Sequence, residues 1–223
     1  MYFMPIPEPI RKSAEEYYAE APQAKSLAEF FGVEKAEFKL VDRASFAHLI
    51  IDPQRYYADP KFKPFSRGTT HTKKRSEKLA KVTPQFRKAG ITTAVAYFDW
   101  CMSDDFHEAQ GGLYKVEASR EVGDLLIPKN TSSAFTDRHM HEALQARGVK
   151  NLFVSGFNAC ACVFETVREA IPKNYKVVLL EDCIGQDNNY EDDIPSYFSY
   201  MMKMGAQRST SAEALTFLKD LER

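Results

Sequence analysis

The chain has 223 residues, of which 44% are hydrophobic and 13% aromatic, so a fold of this size buries roughly 70% of the surface that the unfolded chain exposes. Its 30 Lys and Arg residues nearly balance its 31 Asp and Glu residues, and the net charge of −1 argues against binding nucleic acid or an anionic membrane surface through bulk charge. The apolar runs are too short for a transmembrane helix, the first residues lack the apolar core of a secretory signal, and four cysteines are too few for a disulfide scaffold, so we expect a cytoplasmic protein with reduced thiols.

The chain divides into a polar, helix-prone segment and a longer segment in which strands and helices alternate. Residues 1–40 are predicted to be a helical N-terminal extension and residues 41–223 a single domain. The predicted strands are, in chain order, 46–51, 91–98, 125–127, 149–155, 176–181 and a short one at 206–208. The predicted helices are 73–89, 135–147, 161–171, 196–204 and 211–221. This alternation is typical of βαβ units, so we predict a three-layer α/β/α domain with a mostly parallel sheet of about five or six strands.

Chemically reactive side chains follow several of the predicted strands. Asp52 comes directly after the first strand, Lys129 closes the third, and Cys162 lies in the turn and helix that follow the fourth. Because ligands of open parallel sheets bind beyond the carboxyl ends of the strands, we expect these three side chains to converge at one edge. A helix start and a nearby ammonium group both lower the pKa of a thiol, so we expect Cys162 to be a nucleophile and Asp52 to take its proton. The pattern predicts acyl transfer through a thioester.

Three motifs, in order and well spaced, resemble the isochorismatase-like cysteine hydrolases: Asp52-Pro-Gln54, Pro128-Lys129 followed by Ser133-Ala-Phe135, and Gly156-x5-Cys162-Val163. The resemblance covers roughly residues 46–221, and it implies a catalytic triad of Asp52, Lys129 and Cys162. It also implies a non-proline cis peptide bond between Phe157 and Asn158, with backbone N–H groups aimed at an oxyanion site. The activity that it implies is hydrolysis of the C–N bond of a small amide or carbamoyl compound, and the assembly that it implies is a homo-oligomer.

Two other functions remain open alongside amide hydrolysis. Isochorismatases of this family cleave a vinyl ether and need no cysteine nucleophile, so Cys162 favours amide hydrolysis over that reaction. A non-catalytic binding protein on the same fold is the other alternative, and the presence of all three triad residues argues against it. Cys160 competes with Cys162 for the role of nucleophile, but the family spacing from Gly156 selects Cys162. Without the resemblance, either cysteine reads as a small buried hydrophobic residue.

A second group of residues bears on a metal. Nicotinamidases of this family carry Asp-x-His where this sequence has Asp99-Trp100-Cys101, so the resemblance to nicotinamidase itself is weaker. Asp99, Cys101 and His107 are of the types that bind zinc. The pattern favours residues that merely wall a pocket, so we expect no metal and no other cofactor.

The residues that shape a substrate pocket are less well determined by the sequence. The candidates near the predicted strand ends are Gln54, Tyr56, Phe98, Trp100 and Phe135. Aromatic walls with a few polar groups suit a small planar amide, although core packing explains each aromatic residue equally well. The expected partner is therefore a small-molecule substrate, with no nucleic acid and no membrane.

Overall fold

A computed structural model describes residues 12–58, 68–98, 124–136, 138–187 and 190–221. Its centre is one sheet whose strands are β1 (Phe46–Ile51), β2 (Thr92–Phe98), β3 (Leu125–Lys129), β4 (Asn151–Phe157), β5 (Lys176–Gly185) and β6 (Gln207–Ser209). The strands lie in the order β3-β2-β1-β4-β5-β6, and every adjacent pair is parallel. The central strand β1 is apolar along nearly its whole length because a parallel strand covered on both faces has no solvent-facing side.

The register of the strands brings their carboxyl ends to one edge. Ile51 at the end of β1 lies beside Ala96 of β2 and Gly156 of β4. Phe98 at the end of β2 lies beside Lys129 at the end of β3. The carboxyl ends of β1, β2, β3 and β4 are therefore neighbours in space although they are far apart in sequence.

The helices of the described residues are α1 (Ala14–Ala19), α2 (Leu27–Phe31), α3 (Arg55–Ala58), α4 (Thr70–Lys88), α5 (His139–Gln145), α6 (Phe164–Ala170), α7 (Ile194–Lys203) and α8 (Ser211–Asp220). One apolar cluster packs α5, α6 and α7 against one face of the sheet. A second cluster packs α2, α4 and α8 against the other face. Alternate residues of β1 enter the two clusters, and the prediction of a three-layer α/β/α domain is confirmed.

Several predicted boundaries differ from those in the structure. The helix predicted from residue 135 begins at His139, because the preceding residues form a turn in which the Phe135 N–H donates to Ser133 Oγ at 3.0 Å. The helix predicted from residue 161 is preceded by a π-helical turn (Ala159–Val163), and β5 continues to Gly185 instead of stopping at residue 181. The loop after β5 therefore begins at Gln186, later in the chain than the sequence predicts.

The N-terminal segment packs closely on the domain. Leu27 and Phe31 of α2 belong to the same apolar cluster as α4 and α8. The side-chain amide of Gln207 in β6 accepts from the Ala24 N–H at 2.9 Å and donates to the Ala24 carbonyl at 3.3 Å. The segment thereby lies against the β6 side of the sheet. Within the part of the chain that the structure describes, no helix is long and apolar enough to cross a membrane.

Candidate active site

Asp52 begins the site at the end of β1. Its backbone continues the sheet for one more residue, since its N–H donates to the Ala96 carbonyl at 2.8 Å. Its φ of 46° lies in the left-handed region, which Asp tolerates better than most residues, and Pro53 ends the strand immediately afterwards. The side chain is completely buried. The turn therefore holds a carboxylate inside the protein at the carboxyl edge of the sheet.

Lys129, the last residue of β3, supplies the positive charge. Its ammonium Nζ lies 2.9 Å from Asp52 Oδ2 and donates to the Thr131 carbonyl at 3.0 Å. The same Nζ lies 3.4 Å from the centre of the Phe98 ring, in a cation–π contact. A buried ammonium is tolerated here because a carboxylate, a carbonyl and an aromatic face surround it.

Cys162 approaches the same carboxylate from the π-helical turn after β4. The Asn158 carbonyl accepts from the N–H groups of Ala161, at 3.1 Å, and Val163, at 3.0 Å, which closes the turn. The buried Cys162 thiol lies close enough to the Asp52 carboxylate to lower its pKa, and the Asn158 N–H lies close enough to the sulfur to lower the pKa of the thiol. Asp52 thus has both a thiol and an ammonium beside it.

Burial dominates the ionisation of this cluster. It raises the pKa of Asp52 to about 6, while Lys129 and the Cys162 thiol oppose that rise. Burial and then the negative charge of Asp52 raise the pKa of the Cys162 thiol well above its usual range, against smaller opposing effects of Lys129 and the Asn158 N–H. The sequence analysis expected a lowered thiol pKa. The structure gives the opposite direction, because desolvation outweighs the helix start and the ammonium, so the resting cysteine is a protonated thiol.

The backbone around Cys162 is tightly constrained. The Phe157–Asn158 peptide bond is cis, at the position that the resemblance implies. Gly156 has a φ of 113°, and a Cβ atom there would lie 2.0 Å from the Ile51 carbonyl oxygen. Glycine is therefore required where β4 passes the end of β1, which is the approach that brings the cysteine turn to Asp52.

The comparison with known proteins identifies the family. Residues 46–213 match the family model described as the isochorismatase domain. The chain belongs to the isochorismatase family. The match contains Asp52, Lys129 and Cys162, so the residues of the buried cluster all lie within the shared domain.

Relatives of this isochorismatase-family protein share either a short segment at higher identity or the whole domain at lower identity. It is 38% identical over 66 residues to ureidoacrylate amidohydrolase RutB of Agrobacterium fabrum (strain C58), which covers 30% of this chain and 29% of RutB. It is 28% identical over 188 residues to the uncharacterized isochorismatase family protein YddQ of Bacillus subtilis (strain 168), covering 78% of this chain and 98% of YddQ. The matched stretch thus spans less than a third of the length of the RutB relatives.

Solved structures agree on the fold. A cysteine hydrolase from Pseudomonas syringae pv. phaseolicola 1448A aligns with a TM-score of 0.66 at 16% sequence identity. The alignment covers 81% of this chain and 95% of the other. At that identity the likeness shows a shared isochorismatase-like α/β fold.

The residues expected to form an oxyanion site have definite partners. Phe157 is fully buried and packs in an aromatic cluster with Tyr57. The Asn158 N–H lies close enough to the Cys162 sulfur to lower the pKa of the thiol, and the Asn158 side-chain oxygen accepts from the Asp187 N–H at 3.0 Å. The Cys160 N–H is also engaged, because it donates to Gln186 Oε1 at 2.8 Å. Of the N–H groups expected near this turn, that of Cys162 itself stays our prediction for an oxyanion donor.

The predicted substrate-binding residues differ in where they lie. Tyr56 and Phe98 do lie at this edge, packed against the cluster of Tyr57 and Phe157. Gln54 is fully buried, and its amide donates to the Phe98 carbonyl at 3.1 Å and accepts from the Phe98 N–H at 2.9 Å. Its amide thus orients the loop after Asp52.

Phe135 is buried in the apolar cluster that also contains Cys162, and its ring centre lies 5.4 Å from that of Tyr175, the residue before β5. A role in binding substrate stays a prediction for Phe135. Trp100, together with the candidate metal ligands Asp99, Cys101 and His107, lies outside the described residues. Among the residues that are described, no three His, Cys, Asp or Glu side chains are grouped so that they could hold a metal ion.

Sequence reasoning missed several residues of the site. Tyr57 joins the aromatic cluster, and Thr166 of α6 accepts from the Ala134 N–H at 3.0 Å, which secures the segment after Lys129. Gln186 and Asp187 contact the cysteine turn directly. The rule that finds Asp52, namely to read the residues just after each strand, would have found Gln186 and Asp187 too. Because the sequence pattern ends this strand at residue 181, the same rule leads to Asp182, whereas β5 continues to Gly185.

Proposed function

We propose that this protein is a cysteine-dependent amidohydrolase that cleaves the C–N bond of a small amide or carbamoyl compound. The observation that carries the proposal is the buried carboxylate of Asp52, which lies 2.9 Å from the Lys129 ammonium and close enough to the Cys162 thiol for the thiol to lower its pKa. A thiol, a base and a fixed cation in one desolvated site are the groups that acyl transfer through a thioester requires. The name of the relative RutB, an amidohydrolase, supports the same reaction type.

Acylation follows from the positions of these groups. Asp52 takes the thiol proton as the Cys162 sulfur attacks the substrate carbonyl carbon, so no free thiolate accumulates beforehand. Because the pKa of the thiol lies far above that of Asp52, this proton transfer is uphill unless it is coupled to formation of the C–S bond. The carbonyl oxygen becomes an oxyanion, which we assign to the N–H of Cys162. Protonated Asp52 then returns the proton to the leaving nitrogen, the C–N bond breaks, and an amine or ammonia departs.

Deacylation uses the same carboxylate in the reverse sense. Asp52, again ionised, takes a proton from a water molecule that attacks the thioester carbon. The C–S bond breaks, the sulfur regains a proton from Asp52, and the carboxylic or carbamic acid leaves. Lys129 keeps its contact with Asp52 throughout, which favours the ionised carboxylate that both steps start from.

Substitution of the triad separates this proposal from its alternatives. Cys162→Ala should abolish release of amine or ammonia from a panel of small amides, ureido compounds and carbamoylated amines, because no covalent intermediate can form. Cys160→Ala is the matched control, since Cys160 is a buried thiol two residues away and should leave turnover near that of the wild type. Intact-protein mass spectrometry should show an acyl adduct on the wild-type protein and none on Cys162→Ala.

Three outcomes would contradict the proposed mechanism or one part of it. Turnover that survives Cys162→Ala but not Asp52→Ala would favour ether hydrolysis of the isochorismatase type. If the wild-type protein forms no adduct, turns over no member of the panel and resists alkylation at Cys162, a non-catalytic binding function on the same fold would be favoured. Near wild-type rates in Asp52→Asn would remove Asp52 as the base.

A further inference from the structure

The segment after β5 is attached to the turn that carries Cys162 by side-chain hydrogen bonds. Gln186 Oε1 accepts from the Cys160 N–H at 2.8 Å, and the Asp187 N–H donates to Asn158 Oδ1 at 3.0 Å. Gln186 Nε2 in turn donates to Asp187 Oδ1 at 3.2 Å. Gln186, Asp187 and Asn158 are all buried, so these bonds are shielded from competing water.

These hydrogen bonds lie directly beyond the last residue pair of β4 and β5. The pairing of β4 with β5 is irregular after Val154, resumes at Gly156 beside Ile184, and has its last pair at Phe157 beside Gly185. The next residue on each strand would continue the ladder, but β4 turns into the π-helical turn at this point. The side chains of Asn158 and Gln186 therefore hold the two chains together beyond the last backbone pair.

The Cys160 N–H is the donor that most needs this contact. It lies at the start of the turn, where backbone N–H groups have no partner from the preceding helical residues, and it is buried. Ala161 and Val163 donate within the turn to the Asn158 carbonyl. Gln186 is thus the side chain that holds the Cys160 N–H, two residues before the sulfur that contacts Asp52.

We propose that Gln186 is a positioning residue for the nucleophile. By accepting the hydrogen bond from the Cys160 N–H, it fixes the π-helical turn and keeps the Cys162 thiol next to the Asp52 carboxylate. The same contact removes the Cys160 N–H from the oxyanion site. This inference rests on the proposed function, because it gives Gln186 a role in the reaction of Cys162. Gln186 touches no reacting atom, so its effect is on the placement of the sulfur.

Two variants of Gln186 and one matched control test the proposal. Gln186→Leu keeps most of the side-chain volume and removes both hydrogen bonds. Gln186→Glu keeps an acceptor oxygen for the Cys160 N–H, and its protonated form can also donate to Asp187. Gln207→Leu is the control, because Gln207 is likewise buried and holds a backbone segment, at Ala24, through both ends of its amide. Gln207 is in β6 and takes no part in the site.

The measured quantity is the rate at which an amide that the wild type hydrolyses forms an acyl adduct on Cys162, followed by intact mass and peptide mapping, with the thermal unfolding midpoint of each variant. A displacement of the sulfur of about 1 Å slows a positioned reaction strongly, so Gln186→Leu should form the adduct about tenfold or more slowly than the wild type. Gln186→Glu should recover much of that loss. Gln207→Leu should lower the unfolding midpoint as Gln186→Leu does, yet form the adduct at the wild-type rate.

The outcomes separate this proposal from the one on which it rests. If Cys162 of the wild type is acylated, an unchanged acylation rate in Gln186→Leu would overturn the positioning role alone. An acylation rate in Gln186→Glu no faster than that in Gln186→Leu would do the same. An equal slowing in Gln207→Leu would also overturn it, since the effect would then follow from lost stability. A wild-type Cys162 that forms no acyl adduct with any compound of the panel would overturn both proposals. If Gln186→Leu does not fold, Gln186→Asn withdraws the acceptor by one methylene and should show the same slowing.

Discussion

The ionisation of one buried carboxylate governs the proposed chemistry at the scale of single residues. Asp52 has no exposed surface, and burial raises its pKa to about 6 even though Lys129 lies beside it. A base with a pKa close to neutral is half protonated only slightly below physiological pH. The sequence pattern suggested a thiol with a lowered pKa, whereas in the folded protein burial raises the pKa of the thiol and brings that of the carboxylate to about 6.

Activity should therefore fall on the acid side of neutrality. Asp52 acts as a base only when it is ionised, so kcat/KM should drop about tenfold for each pH unit below about 6. The measurement is kcat/KM of amide hydrolysis between about pH 5 and pH 8, with circular dichroism at each pH to show that the fold persists. A flat profile through this range, with the fold intact, would show that another group is the base.

Lys129→Met should raise the acid limit and weaken the fold in a pH-dependent way. Lys129 lowers the pKa of Asp52, so its removal shifts the limb of the activity profile to higher pH. Folding raises this pKa above its unfolded value, so the stabilisation that it gives is present at low pH and is lost as pH rises through about 6. Removing the counter-ion should thus lower the free energy of unfolding by roughly 3–5 kcal/mol at about pH 8, and by less at about pH 5.

Urea unfolding at both pH values measures this effect. Lys203→Met is the control, because Lys203 pairs with Glu20 on the surface at 3.1 Å and such pairs contribute about 0–1 kcal/mol. An equal loss of stability in Lys129→Met at the two pH values would mean that Lys129 does not lower the pKa of Asp52.

At the scale of elements, close approach of two strands decides whether the site forms. β1 and β4 approach so closely that position 156 has no room for a side chain. Asp52 follows β1 directly, and the turn that carries Cys162 follows β4. The motif Gly156-x5-Cys162 records this requirement in the sequence, but it does not reveal which backbone atom demands the glycine. That atom is the Ile51 carbonyl oxygen, one residue before Asp52.

Gly156→Ala should accordingly be far more harmful than alanine at another glycine with positive φ. The new Cβ would lie 2.0 Å from the Ile51 carbonyl oxygen, so the strands must separate, and we expect a loss of about 3 kcal/mol or more in the free energy of unfolding. Gly148 has a φ of 71° but no atom within 4 Å of a Cβ, so Gly148→Ala should cost only about 1–2 kcal/mol. Chemical denaturation of both variants measures the difference, and similar losses would refute the steric explanation.

The ends of elements were also where the sequence was least informative. The apolar run of β5 breaks at Glu181 and Asp182, yet the strand continues to Gly185 because it pairs again with β4 at Ile184. A polar residue inside a strand is tolerated when its side chain finds a partner, and Asp182 accepts from the Ser211 N–H at 2.7 Å at the start of α8. Such long-range partners cannot be read from a local pattern, and for that reason Gln186 was not recognised.

On the scale of the whole molecule, the N-terminal segment contributes to the core. The ring centre of Phe31 lies 5.0 Å from that of Phe46, 5.9 Å from that of Phe153 and 5.2 Å from that of Phe217. These partners come from β1, β4 and α8. The prediction of an extension at residues 1–40 and a domain at 41–223 describes the sequence pattern, but the contacts of α2 make this part of the segment a component of one packed cluster.

Phe31→Ala should therefore destabilise the whole protein. Loss of a buried phenylalanine ring should lower the free energy of unfolding by about 3 kcal/mol or more, in a single urea transition followed by both fluorescence and circular dichroism. Leu40→Ala is the control, because Leu40 is 82% exposed and its removal should change stability by no more than about 0.5 kcal/mol. Two separate transitions, or a loss in Phe31→Ala as small as the control's, would show that the segment folds independently.

The sequence by itself determined the fold class, the family and the three residues of the proposed triad. The fold class follows from strand and helix periodicity, which is local, and the three residues converge because residues after parallel strands must meet at one edge. The family and the roles in the triad come from the resemblance that the three spaced motifs carry. Only the tertiary structure decided that the thiol rests protonated, that Phe135 lies in the core, and that Gln54 and Gln186 hold backbone groups around the site. Those outcomes depend on burial and on partners distant in the chain, since desolvation and hydrogen bonding arise from the packed surroundings of a residue and not from its neighbours in sequence.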